Sequence, residues 1–177
     1  HCFVRVGFRS YSAGTITEDT LFKTHITNLL KYNVKCGLYF YDQSLNEQEA
    51  IQEAEWCIAM AKQYNITLPI AIDSEYSNPN HNGRADNISK SQRTKNVLAF
   101  YNRIKQSEYE PCIYCSDSWA TSMLDYNQIK DCYLWIARYS TQAPKTPCNI
   151  WQYGSHVFNF APGAIDVNVI YNLPQNT

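Results

Sequence analysis

Leu68-Pro-Ile-Ala-Ile-Asp-Ser-Glu-Tyr76 is a short apolar run that ends in two carboxylates one residue apart. A buried strand delivers acids to a cleft in this way. Side chains at i and i+2 of a strand share a face, so Asp73 and Glu75 are expected to point the same way. Two carboxylates that close repel one another, which raises the affinity of one for a proton near neutral pH and separates an acid from a base. Glycosidic bond cleavage needs such a pair. The same nine residues also read as a strand ending in solvated acids on a turn, and the rest of the chain must decide.

Working outward, apolar segments alternate between strand and helix periods. Phe3-Val-Arg-Val-Gly-Phe8 alternates like a strand and runs into a Ser/Gly turn; from Glu18 to Tyr32 the residues Leu21, Phe22, Ile26, Leu29 and Leu30 recur at helical spacing. Cys36-Gly-Leu-Tyr-Phe-Tyr41 is a second strand, and Asn46 opens a helix through Tyr64 with Glu47 and Glu49 in its first turn, where they complement the helix dipole. Leu68 to Asp73 is the third strand, followed by a loop rich in Asn, Pro, Gly and His over Ser77 to Asn87. A helix over Ser89 to Ser107, a strand over Cys112 to Cys115, a short helical piece over Ser118 to Leu124 and a strand over Tyr133 to Ala137 come next. Cys148 to Tyr153 and Ala164 to Val169 read as late strands joined by an aromatic loop. Strands alternating with helices imply a parallel sheet with crossover helices. The early part thus reads as a (βα) barrel, and chemistry in such barrels sits at the C-terminal ends of the strands. Asp73, Glu75, Tyr41, Ser116, Tyr139 and Asp166 all fall at strand ends.

Length and composition narrow the function classes. A chain of 177 residues suits one domain with a substantial core. Lysines and arginines number 15 against 16 acids, and no basic stripe appears that would draw the chain to nucleic acid or an anionic membrane. No apolar run approaches the roughly 20 residues of a membrane-spanning helix, and the N-terminus lacks the features of a signal peptide. The 14 tyrosines, 4 tryptophans and 7 phenylalanines offer flat faces suited to sugar rings as well as to half-wet core positions. The seven cysteines are spread over the whole length and outline no short-loop disulfide framework. Cys112-Ile-Tyr-Cys115 has metal-like spacing, but on a strand its two thiols face opposite sides, and no metal or cofactor is expected.

The ordered set of segments resembles the glycoside hydrolase family 25 lysozymes, N-acetylmuramidases of bacterial cell walls. The resemblance runs through Phe3-Val-Arg-Val-Gly7, Asp19 with Phe22, Gly37-Leu-Tyr39, Glu49-Ala50 with Glu53-Ala54, Leu68 to Glu75, Ile113-Tyr-Cys-Ser116 with Trp119, Leu134-Trp-Ile-Ala137 with Tyr139, Ile150-Trp-Gln-Tyr153, and Gly163 with Ile165-Asp-Val-Asn168. It implies an α/β fold, an irregular TIM-like (β/α)5(β)3 barrel, and one catalytic domain over residues 1–177. It also implies hydrolysis of the β-1,4 bond between N-acetylmuramic acid and N-acetylglucosamine, with Glu75 as general acid/base, Asp73 as its neighbouring carboxylate and Asp166 as the carboxylate of the last strand. A monomer acting on bacterial peptidoglycan, secreted or at the cell wall as an autolysin or endolysin, is the corresponding biology. One departure stands out. The family opens with a strand carrying an Asp-x-Ser type motif, and no residue here matches it, so the barrel is expected to lack its first strand and to be open at that seam, or closed by an added segment.

Beside the three acids, Tyr39, Tyr41, Tyr76, Tyr114, Trp135 and Tyr139 are candidate sugar contacts, although core packing explains Tyr39 and Tyr41 equally well. Arg5 reads as a buried partner of a barrel carboxylate. His81 and His156 lie in polar loops and read as surface histidines. Two further functional readings stay open: a chitinase-like hydrolase, which also ends a strand in Asp-x-Glu, and a module of this fold that binds glycan without cleaving it.

Overall fold

The computed structural model describes residues 1–159 and 163–173. Eight strands form one curled sheet: β1 (Cys2–Arg9), β2 (Ile16–Glu18), β3 (Cys36–Tyr41), β4 (Ile70–Asp73), β5 (Pro111–Ser116), β6 (Leu134–Ala137), β7 (Ile150–Val157) and β8 (Ala164–Ile170), in spatial order β2-β1-β3-β4-β5-β6-β7-β8. From β1 through β3 to β7 the neighbours are parallel, and antiparallel β2 and β8 flank them at the two ends. Among the described residues β8 pairs with β7 alone, so the sheet curls without closing. The seam expected beside the first strand is therefore open, with β2 covering β1 only at Gly7 to Arg9.

Ladder register sorts the side chains into two faces. Val4, Leu38, Ile70, Ile72, Ile113, Leu134 and Ile136 follow one another across the ladder and are buried. Three long helices cover that face: α1 (Phe22–Lys31), α2 (Glu47–Ala61) and α3 (Lys90–Lys105). Ala50, Ala54, Cys57, Ile58 and Ala61 give α2 an apolar stripe at helical spacing, and the Asn46 side chain caps its first turn by accepting from the Glu49 N–H at 3.0 Å. Ser89 caps α3 in the same way, through the Gln92 N–H. Two single turns, α4 (Trp119–Ser122) and α5 (Tyr126–Ile129), follow β5; the second was not legible in the sequence.

The opposite, concave face carries the aromatic and acidic residues. Phe3 pairs in register with Gly37, Arg5 with Tyr39, Tyr39 with Ala71, Tyr41 with Asp73, Asp73 with Tyr114, Tyr114 with Trp135, and Ala137 with Gln152. A bulge between Arg5 and Gly7 inserts one residue and reverses the alternation, so that Gly7 lies against Trp56 of α2 and Arg9 reaches Glu53 of the same helix.

Candidate active site

Asp73 closes β4, and the ladder continues one step beyond it because the Ser74 N–H donates to the Tyr114 carbonyl at 3.1 Å. That step carries Glu75 past the strand end to the rim, where it is exposed while Asp73 is 6% exposed. Asp166 arrives from β8, and the Tyr139 hydroxyl donates to its Oδ1 at 3.1 Å. All three acids thus border the concave face. Trp135 forms its floor: 5% exposed, it packs against Phe3, Tyr39 and Tyr114 at ring separations of 4.6, 6.3 and 4.8 Å. Its indole N–H donates to Asn168 of β8 at 2.8 Å, and the Tyr114 hydroxyl donates to Gln152 of β7 at 2.8 Å. Two amide side chains that sequence reasoning had not singled out for the site therefore hold the floor; Asn168 was visible only as a motif residue, and Gln152 only as a letter in a strand.

The electrostatics divide the acids. Burial raises the pKa of Asp73 well above the usual carboxylate range, and the charges of Glu75 and Asp42 raise it further against the opposing Arg5. Its Oδ1 has no hydrogen-bond partner among the described residues. Glu75 is raised too, first because the surrounding walls strip its hydration and then by the Asp166 charge. The sequence predicts mutual repulsion between Asp73 and Glu75 without saying which acid gains the proton affinity. The influence runs from Glu75 to Asp73, because the buried acid binds its proton more tightly and is still neutral where Glu75 titrates. Burial, then the Asp73 charge, pushes the Tyr39 hydroxyl up to about 12, and the same two causes raise Tyr41 and Tyr114. These phenols act as neutral hydrogen-bonding groups at any ordinary pH.

The remaining candidates fall around the rim. Tyr76 stacks on His81 with ring centroids 3.6 Å apart and meets the edge of Trp119 at 4.7 Å. His81, with φ 50° in the left-handed region, is thus more than a free surface histidine, since its ring covers one face of Tyr76. The loop bearing it is pinned by Asp86, which accepts from the Ser77 N–H at 3.0 Å, the Ser77 hydroxyl at 2.5 Å and the Gly83 N–H at 2.9 Å. Tyr139 is 62% exposed, available to a ligand on one side and tied to Asp166 on the other. Arg5 corrects the sequence reading: its guanidinium bonds Asp19 at 2.6 Å and its side chain is half exposed, because the β1–β2 turn brings the residue before α1 alongside β1. Arranged in this way, the face offers one exposed acid with a raised pKa, one buried acid with a spare oxygen, a third acid across from them and flat aromatic walls, the requirements for protonating and flanking a sugar–sugar oxygen.

The family model described as Glycosyl hydrolases family 25 matches residues 4–159. No curated protein matches the chain. Among solved structures, the modular autolysin LytC of Streptococcus pneumoniae, in complex with a synthetic peptidoglycan ligand, is 23% identical, with a TM-score of 0.78 over 94% of this chain and 39% of that one. The present chain thus spans about two fifths of LytC. The catalytic domain of the endolysin ply40, from a bacteriophage of Listeria monocytogenes, is 20% identical, with a TM-score of 0.72 over 95% of this chain and 80% of that one. A muramidase from Acremonium alcalophilum is 22% identical, with a TM-score of 0.71 over the same shares. At these identities the structures speak for the fold, and the sequence pattern over residues 4–159 speaks for descent: the chain belongs to glycosyl hydrolase family 25.

Proposed function

We propose that residues 1–177 act as one catalytic domain, an N-acetylmuramidase that hydrolyses the β-1,4 bond between N-acetylmuramic acid and N-acetylglucosamine in bacterial peptidoglycan. The reading rests above all on Glu75, an acid at the C-terminal end of β4 whose proton affinity is raised by its walls and by Asp166. Glu75 gives its proton to the leaving oxygen and then takes one from the incoming water. Asp73, whose buried Oδ1 has no partner among the described residues, orients the acetamido group of the substrate, and Asp166 flanks the reacting carbon or the acetamido oxygen that attacks it. Tyr39, Tyr41, Tyr76, Tyr114 and Tyr139 line the sugar path, with Trp135 as the floor beneath them. Family membership and relatives that include an autolysin and a muramidase support the assignment.

Replacing Glu75 by Gln tests it. The amide is isosteric but has no proton to give, so reducing-end release from purified cell wall should fall by about a hundredfold or more while the binding isotherm stays within a factor of two or so. A variant that keeps more than about a tenth of parental activity removes Glu75 from the acid role. The exposed setting of Asp166 favours a second reading, a domain that binds glycan without cleaving it. Saturable binding of a peptidoglycan fragment by the parent chain with no reducing-end release would establish that alternative.

A further inference from the structure

Behind the site, on the helix side of the sheet, lies a polar group that the proposed chemistry does not use. Glu53 is the buried exception on the apolar stripe of α2, 0% exposed, and Asp42, immediately after β3, is 1% exposed. Arg9 of β1 donates from Nε to Glu53 Oε1 at 2.6 Å and from its other nitrogens to the Gly14 and Glu49 carbonyls. Asp42 Oδ1 accepts from the Ser44 N–H at 2.7 Å. That leaves Glu53 Oε2 and Asp42 Oδ2 buried with no protein N–H or O–H reaching either among the described residues. The two side chains nevertheless lie in hydrogen-bonding contact with one another. Two carboxyl oxygens in contact need a proton between them, since two bare acceptors held together out of water repel.

The cations around this pair are largely shared with other acids. Arg84, in the loop after β4, is occupied by Glu49 through bonds of 2.7 and 3.0 Å. Arg93 of α3 faces both Asp42 and Asp86. Arg9 bonds Glu53 directly, while Asp42 shares Arg93 with Asp86. Tyr41, Asp73 and Cys57, the other titratable neighbours, add no positive charge. Burial and the Asp42 charge correspondingly drive the Glu53 carboxyl far above its ordinary range, against the opposing pull of Arg9.

We propose that Glu53 keeps a proton at neutral pH and donates it to Asp42 Oδ2, and that this shared-proton pair is a positioning element for the site, holding Asp42 against Asp73. The link to Asp73 is direct: the Asp42 N–H donates to the Asp73 carbonyl at 2.9 Å, and Asp42 is one of the charges acting on the Asp73 carboxyl. Calling the pair a positioning element rests on the muramidase reading; the shared proton does not.

Infrared difference spectra of the full chain separate the two. Asp73→Asn removes the carbonyl-stretch band of the other buried acid, and in that background a protonated-carboxyl band should persist at neutral pH and vanish when Glu53→Gln is added. The thermal midpoint gives a second readout. A carboxyl that binds its proton more tightly when folded loses stability as pH rises above its ordinary range, so from about pH 5 to about pH 8 the parent should lose midpoint relative to Glu53→Gln. For the positioning role, the Asp73 band that remains in Glu53→Gln should titrate at lower pH once Asp42→Asn is added, which packing alone would not cause. Absence of a Glu53-dependent band in the Asp73→Asn background, or a midpoint difference that does not vary with pH, overturns the shared proton. An Asp73 titration unmoved by Asp42→Asn overturns the positioning role. If the combined variant does not fold, Asp42→Asn alone, read on the band that Asp73→Asn abolishes, decides it. Because no arm uses turnover, a chain that proves not to cleave peptidoglycan leaves the shared proton to be judged on these spectra.

Discussion

Along β4 every residue from Ile70 to Asp73 is buried, whereas along β8 no residue is, although both strands bring a carboxylate to the same concave face. The parallel strands are sandwiched between helices and the aromatic floor. Among the described residues no helix covers the β7–β8 hairpin; Tyr153, Val157, Ile165 and Val169 are exposed on it. A depression lined by Tyr153, Gly154, Ser155, His156, Phe158 and Val167 lies along the hairpin. A central parallel strand and an antiparallel end strand therefore put their acids in two media. Asp73 sits where an ionised carboxylate is costly and binds its proton more tightly than usual, while Asp166 is exposed and raises the proton affinity of Glu75 from across the face.

This contrast can be broken by mutation, and the largest effect should come from the core. Ile72→Ala on β4 should cost about 2–5 kcal/mol in a denaturant melt, since a fully buried side chain leaves a cavity. Ile165→Ala on β8 should stay within about 0.5 kcal/mol, as exposed substitutions do. Equal costs would mean that the hairpin is as tightly integrated as the core.

Glycines sharpen the same contrast. A Cβ on Gly37 would lie 2.6 Å from the Phe3 ring and 2.7 Å from the Pro69 carbonyl, so Gly37→Ala should cost about 1–3 kcal/mol. A Cβ on Gly154 would meet nothing within 4 Å among the described residues, and Gly154→Ala should change stability by about 0.5 kcal/mol or less. The smallest shift concerns the hairpin acid. Asp166→Asn removes the charge that raises Glu75, so Glu75 loses its proton at lower pH and the alkaline limb of the rate profile moves down; Asp73→Asn should move that limb less. A larger movement with Asp73→Asn than with Asp166→Asn would reverse the assignment of charges.

Much of the packed half was legible in the sequence because burial writes itself into periodicity. The runs through β3 and β4, the Asn46 and Ser89 caps and the acids after Ile72 are local signals, and the ordered segments carried the family. Less legible was whatever depends on residues meeting across the fold. The three residues of β2 are too few to show a period, and β7 continues through His156 to Val157, where polar residues hide a strand exposed on both sides. Arg9, Asp42 and Glu53 look like ordinary surface charges in sequence; only the reversal of alternation at the β1 bulge and the facing stripe of α2 bury them together.

Trp135 has a consequence of a different kind. Its ring touches side chains from β1, β3 and β5, and its N–H is held by β8, so a single indole senses both the packed strands and the seating of the hairpin. Its fluorescence is a built-in gauge: release of Asn168 would change the hydrogen bonding of the excited indole without unfolding the core. Comparing the emission of the parent with that of Asn168→Ala would calibrate that gauge, and a sugar chain settling over the floor could then be followed by light with no label attached.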